Sequence, residues 1–123
     1  MKEYFENTNG TAILATSDNQ GNVDAAIYAR PHVIDENTVA FIMNDHLSHK
    51  NLCLNPKAVY LFMEEGPGYN GKRLYLTKIK ESDDQQLIES MRKRKTPHGC
   101  ENGDTKRFLI YFKIDKTRPL IGD

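Results

Sequence analysis

The chain has 123 residues, which fits a single domain spanning residues 1–123 and leaves no room for a separate substrate domain. With 38% hydrophobic and 28% charged residues, it is neither apolar enough for a bilayer nor poor enough in apolar residues to stay disordered. Lys and Arg number 17 against 17 Asp and Glu, so no global basic field drives nucleic-acid or membrane-surface binding, and any charge-based function is local.

The first residues carry Lys2, Glu3 and Glu6 and lack the apolar core of a signal peptide. No apolar run approaches the ~18 residues of a membrane span, so the expected compartment is the cytoplasm. Residues 11–17 (TAILATS) read as a strand, which the turn residues Asp18, Asn19, Gly21 and Asn22 fold back onto residues 23–33 as a hairpin. A second turn at Asp35, Glu36 and Asn37 leads into a strand at 38–44 (TVAFIMN), placing three antiparallel strands in succession. Residues 48–55 (SHKNLCLN) predict a short helix with Ser48 as N-cap and Pro56 closing it.

In the strand at 58–64 (AVYLFME), Val59, Leu61 and Met63 share one face and Tyr60 and Phe62 the other. Both faces are apolar, so the strand is expected to line a barrel and also to meet a helix or a second subunit. A Gly-rich loop around Tyr69 precedes a strand at 72–80. Residues 82–95 predict a helix, with capping-box spacing at Ser82 and Gln85 and a stripe of Leu87, Ile88 and Met91; Pro97 and Gly99 end it. The last strand, 107–114, sets Phe108, Ile110, Phe112 and Ile114 against Leu109 and Tyr111. The fold class is therefore mainly β: a barrel of about six mostly antiparallel strands with flanking helices.

Lys50 falls in the opening turn of a helix, where free amides and the helix dipole disfavour a cation. An anion held between Lys50, the Ser48 hydroxyl and those amides relieves the conflict, and a phosphate has the right charge and acceptors. The bland alternative is a lysine that projects into water.

The order of hairpin, strand, SHK at a helix start, NP and an apolar strand resembles the FMN-binding split barrel of the pyridoxamine 5′-phosphate oxidase-like family. The resemblance is best over residues 35–62, where DEN, TVAFIMN and SHKNLCLNPKAVYLF recur in order. It implies an FMN cofactor whose phosphate is held by Met43 and Asn44 at the end of the third strand and by His49 and Lys50 at the helix start, beside the Ser48 hydroxyl already singled out. His49 stands where many relatives have Arg, so its part in phosphate binding requires protonation or support from backbone amides. The resemblance further implies that Tyr28, Ala29 and Arg30 run beside the flavin, and that Arg73 faces it from the partner subunit of a homodimer. The apolar faces carrying Tyr60 and Phe62, and Leu109 and Tyr111, point to the same dimer.

The chain lacks the further basic and C-terminal motifs of the longer pyridoxamine-phosphate oxidases, and that activity is not assigned. What the resemblance implies is flavin-dependent oxidoreduction or electron transfer with an unknown small molecule or redox partner. The rival reading is a binding or sensing protein that holds haem, a deazaflavin or another nucleotide in the same cleft.

Two other constellations carry chemistry-bearing residue types. His46, His49 and Cys53, with His98 and Cys100 beyond, offer metal-ligand residue types, but zinc motifs have tighter spacing in both halves and no metal site is assigned. The basic run Arg92, Lys93, Arg94 and Lys95 is the ordinary complement of a helix C-terminus, lacks interleaved aromatic residues, and is not read as a nucleic-acid site. No G-x-S-x-G, H-E-x-x-H or P-loop pattern occurs, and the adjacent Glu64 and Glu65 point to opposite faces of their strand.

Overall fold

The computed structural model describes residues 2–44, 46–92 and 107–122. Among these residues, seven strands form one antiparallel sheet: β1 Gly10–Ser17, β2 Val23–Tyr28, β3 His32–Asp35, β4 Thr38–Asn44, β5 Lys57–Glu64, β6 Gly71–Ser82 and β7 Arg107–Pro119. The helices are α1 Lys2–Asn7, α2 Leu47–Leu54 and α3 Gln85–Arg92. Strand order is β2-β1-β5-β6-β7-β4-β3, so β2 and β3 are the two edges.

The predicted β1–β2 hairpin forms, with Ile13 opposite Ile27 and Ala15 opposite Ala25. Its turn is built by Asp18, whose carboxylate accepts the amides of Gln20 at 2.8 Å and Asn22 at 2.9 Å, while Gly21 takes φ +87°, a region that L side chains rarely adopt.

The expected single strand over 23–33 is in fact two. After Tyr28 the chain leaves the β1 edge and crosses to the far edge, where β3 pairs with β4. Pro31 has no N–H to continue a ladder, and the crossing is pinned on both sides of it. Tyr60 donates its hydroxyl to the Ala29 carbonyl at 2.9 Å, and the Arg30 guanidinium bonds the carbonyls of Phe5 and Thr8 near the end of α1. The third of the expected successive strands accordingly pairs with β3 and β7, not with β2.

The sheet curls so that residues from nonadjacent strands meet inside it. Leu14, Phe41, Met43, Tyr60, Phe62, Leu74, Ile110 and Phe112 form its interior, with Phe5 of α1 and Leu52 of α2 added. Phe41 lies 4.9 Å from the Tyr60 ring and 6.0 Å from Tyr28, which brings β4 close to both β5 and the β2 edge. Tyr60 and Phe62 are thus core residues.

Leu109 and Tyr111 face outward, and there α3 covers them: Leu109, Ala40 and Ile88 are buried together, with Ile42, Met91 and Tyr111 packed around them. The apolar faces first read as pointing to a dimer are therefore satisfied within one chain. A different face is left open. Val23 and Ile27 of β2 are 80% and 70% exposed, and the register continues their row through Ile13 and Ala15 to Val59 and Leu61, none of which belongs to either hydrophobic cluster.

The helix predicted at 82–95 starts later, because β6 extends to Ser82 and Asp84 caps the helix by accepting the amides of Gln86 and Leu87. Of its expected stripe, Ile88 is buried, Met91 half-buried and Leu87 exposed. Lys93, Arg94, Lys95, Pro97, His98, Gly99 and Cys100 lie outside the described residues. Among the described residues no helix is long and apolar enough to cross a membrane.

Candidate functional site

The curled sheet does not close between β2 and β4, and α2 follows β4 at one end of that gap. A cleft of about 480 Å³ results, within the usual size range of ligand sites. Along β2 the two-residue period turns Asp24, Ala26 and Tyr28 toward it, and Ile27 and Ala29 also line it. The opposite wall is Ile42, Met43 and Asn44, and the end is formed by His46, Leu47 and Ser48.

Five of the sequence-predicted residues therefore meet in one cleft: Tyr28, Ala29, Met43, Asn44 and Ser48. The Tyr28 and Ser48 hydroxyls are hydrogen-bonded across it, joining β2 to the first turn of α2. Burial raises the Tyr28 pKa, the bond to Ser48 works against that, and the Asp24 carboxylate adds to the rise. Tyr28 is accordingly a neutral hydroxyl able to donate or accept a hydrogen bond.

The N-cap of α2 is His46, not Ser48, and it makes no side-chain capping bond. The first intrahelical bond runs from the Lys50 amide to the His46 carbonyl at 3.0 Å, so the amides of Leu47 and Ser48 come before the helix's own hydrogen-bond ladder. Both residues line the cleft. Lys50 is exposed on this turn.

His49 is placed differently from the expectation. Its Nε2 lies 3.0 Å from Glu81 Oε2, and its ring stacks on Phe108 at 4.0 Å and 9°. The ring is buried at the junction with β6 and β7 and does not line the cleft. Arg30 holds the end of α1, and Arg73 bonds the carbonyls of Pro119, at 2.8 Å, and Gly122. Neither lines the cleft of this chain.

Asp24, Ala26, Ile27, Ile42, His46 and Leu47 also line the cleft and are not among the residues the sequence points to. The period of β2 could have found the first two, since both alternate with Tyr28.

No family model matches the sequence, and no curated protein matches it. Solved structures do. An FMN-binding protein from Syntrophomonas wolfei subsp. wolfei superposes with a TM-score of 0.80 at 17% identity, over 99% of this chain and 84% of that one. This chain has the FMN-binding split-barrel fold. An F420 reductase aligns with a TM-score of 0.74 at 12% identity, covering 94% of both chains. A "putative pyridoxamine 5′-phosphate oxidase" from Lactobacillus delbrueckii aligns with a TM-score of 0.68 at 18% identity, over 94% of this chain and 88% of that one.

The seam suits a flavin phosphate chemically. It offers two hydroxyls, an Asn side chain and the first turn of a helix, with Ala26, Ala29, Ile42 and Met43 as apolar wall; Lys50 is on that turn but does not line the cleft.

Proposed function

We propose that this protein binds FMN in the cleft between β2, β4 and α2, as a cytoplasmic homodimer, and acts as a flavin-dependent oxidoreductase or electron carrier. The observation that carries this is the convergence of Tyr28, Ala29, Met43, Asn44 and Ser48 on one cleft at a helix N-terminus. When bound, the flavin supplies hydride or electron exchange with a small molecule or redox partner. The chain's own residues bind and orient it. Ser48, the first-turn amides of α2 and Lys50 hold the phosphate; His46, which also lines that end, takes the place first given to His49. Tyr28 and Asn44 offer hydrogen bonds along the ring and chain, and Ala26, Ala29 and Met43 give the ring an apolar surface.

The open row on β1, β2 and β5 supports the homodimer, because a second copy would cover Val23, Ile27, Ile13 and Leu61. Arg73 lies opposite Leu61 on β6 and would stand at that interface. The likeness to an F420 reductase supports a second reading, in which the same cleft holds a deazaflavin.

Titration of the purified protein with FMN and with riboflavin, followed by flavin fluorescence, tests the proposal. FMN is expected to bind with quenching. Lys50→Ala is expected to weaken FMN by about fivefold, the ~1 kcal/mol of an exposed charge contact, and to leave riboflavin unchanged. A colourless protein with no affinity for FMN refutes the flavin reading, and equal losses for both ligands refute the role of Lys50. Tight binding of a deazaflavin by a protein that ignores FMN selects the second reading.

A further inference from the structure

Away from the cleft, α2 meets the end of β6, and there the fold brings together three residues from two elements. His49 and Cys53 are one helical turn apart, and Glu81 reaches them from β6. A ring nitrogen of His49, the Cys53 thiol and a Glu81 carboxylate oxygen all lie within 4.8 Å of one another. None of the three lines the flavin cleft.

Two of the donors are already oriented. The stack on Phe108 fixes the plane of the His49 ring. Lys78 Nζ lies 2.9 Å from Glu81 Oε1, which engages one carboxylate oxygen and turns the other, Oε2, to the imidazole at 3.0 Å. Neighbours that orient a ligand in this way are characteristic of metal sites. The third donor is adjustable, since Cys53 is exposed and its thiol swings about a single side-chain torsion.

We propose that His49, Cys53 and Glu81 form a three-ligand site for zinc or a similar borderline-soft divalent cation, with a fourth position open to water. Imidazole nitrogen, thiolate and carboxylate are the three donor types zinc takes, and the two anionic ligands match its charge. In a tetrahedral zinc site neighbouring donors stand about 3.4 Å apart. The His49–Glu81 pair needs to open by only a few tenths of an ångström from 3.0 Å. Binding releases the Cys53 thiol proton to solvent. The metal clamps α2 to β6 and so braces the helix whose first turn forms the end of the cleft. Histidine and cysteine spacing alone does not define this site; Glu81, which completes it, is 32 residues from His49.

Protein stripped with a chelator and titrated with Co2+ alone tests the site without reference to flavin or activity. A single equivalent is expected to give tetrahedral visible bands with a thiolate-to-cobalt charge-transfer band, and Zn2+ is expected to displace it. Cys53→Ser should abolish the charge-transfer band, and Glu81→Gln should retain it while weakening Co2+ by about tenfold or more. Both residues are exposed, and circular dichroism confirms that the variants fold. The proposal is overturned if folded wild-type protein gives no charge-transfer band, if the band survives in Cys53→Ser, or if it is lost in Cys100→Ser instead.

Discussion

The attachment of α2 to the barrel is open to a quantitative test at a buried polar pair that contributes to it. Asn51 and Thr16 are 4% and 3% exposed, and Asn51 Nδ2 donates to Thr16 Oγ1 at 3.0 Å. Asn51→Leu keeps the side-chain shape but removes the donor and sets a methyl group against the Thr16 hydroxyl. The lost bond and the stranded hydroxyl together cost about 2 kcal/mol. An unfolding entropy of about 2.1 cal/mol/K per residue, taken over 123 residues, turns this into a fall in Tm of about 8 °C. Thr16→Val strands the amide instead, at a similar cost of about 2 kcal/mol. The double variant removes both polar partners and leaves apolar groups in contact, so it should cost no more than either single change, a coupling of about 2 kcal/mol. Urea unfolding followed by far-ultraviolet circular dichroism measures all four corners of the cycle. Additive effects, with a coupling below ~0.5 kcal/mol, would refute the view that this bond anchors the helix.

Gly71→Ala places a Cβ 2.0 Å from the Phe62 carbonyl oxygen, a backbone atom that cannot swing away, so thermal unfolding should register a loss of about 2 kcal/mol. The Asp18 carboxyl is held below its ordinary value of 3.8, first by the Asn22 side chain and then by the amides of Asn22 and Gln20. The contribution of this turn is therefore full above that ordinary value and fades as pH falls through the lower folded one; an NMR titration of Asp18 with its midpoint at or above 3.8 would contradict the geometry. Leu61→Glu puts a charge in the centre of the open β1–β2–β5 row, and sedimentation should show a folded monomer for the variant and the proposed dimer for the wild type. A wild type that sediments as a monomer refutes the homodimer.

Alternation made much of the sheet legible. Tyr60 and Phe62 against Val59 and Leu61, and Phe108, Ile110 and Phe112 against Leu109 and Tyr111, all fall on the opposite faces that a two-residue period demands. The Asp18 turn and the short helix before Pro56 were legible because a few neighbouring residues determine them. Much of the cleft was legible too: Tyr28, Ala29, Met43, Asn44 and Ser48 belong to segments whose order along the chain carries the resemblance.

Tertiary structure decided which apolar face is inside and what covers the other. One apolar face of β7 is buried by α3, whereas that of β5 is left open, and period alone does not distinguish them. The break at Pro31 sends one predicted strand to two edges of the sheet, which is what opens the seam. His49 turns away from the cleft because Phe108 and Glu81, distant in sequence, offer it a stack and a hydrogen bond. Local sequence determines conformation and period; where a side chain finds its partner depends on segments that only folding brings together.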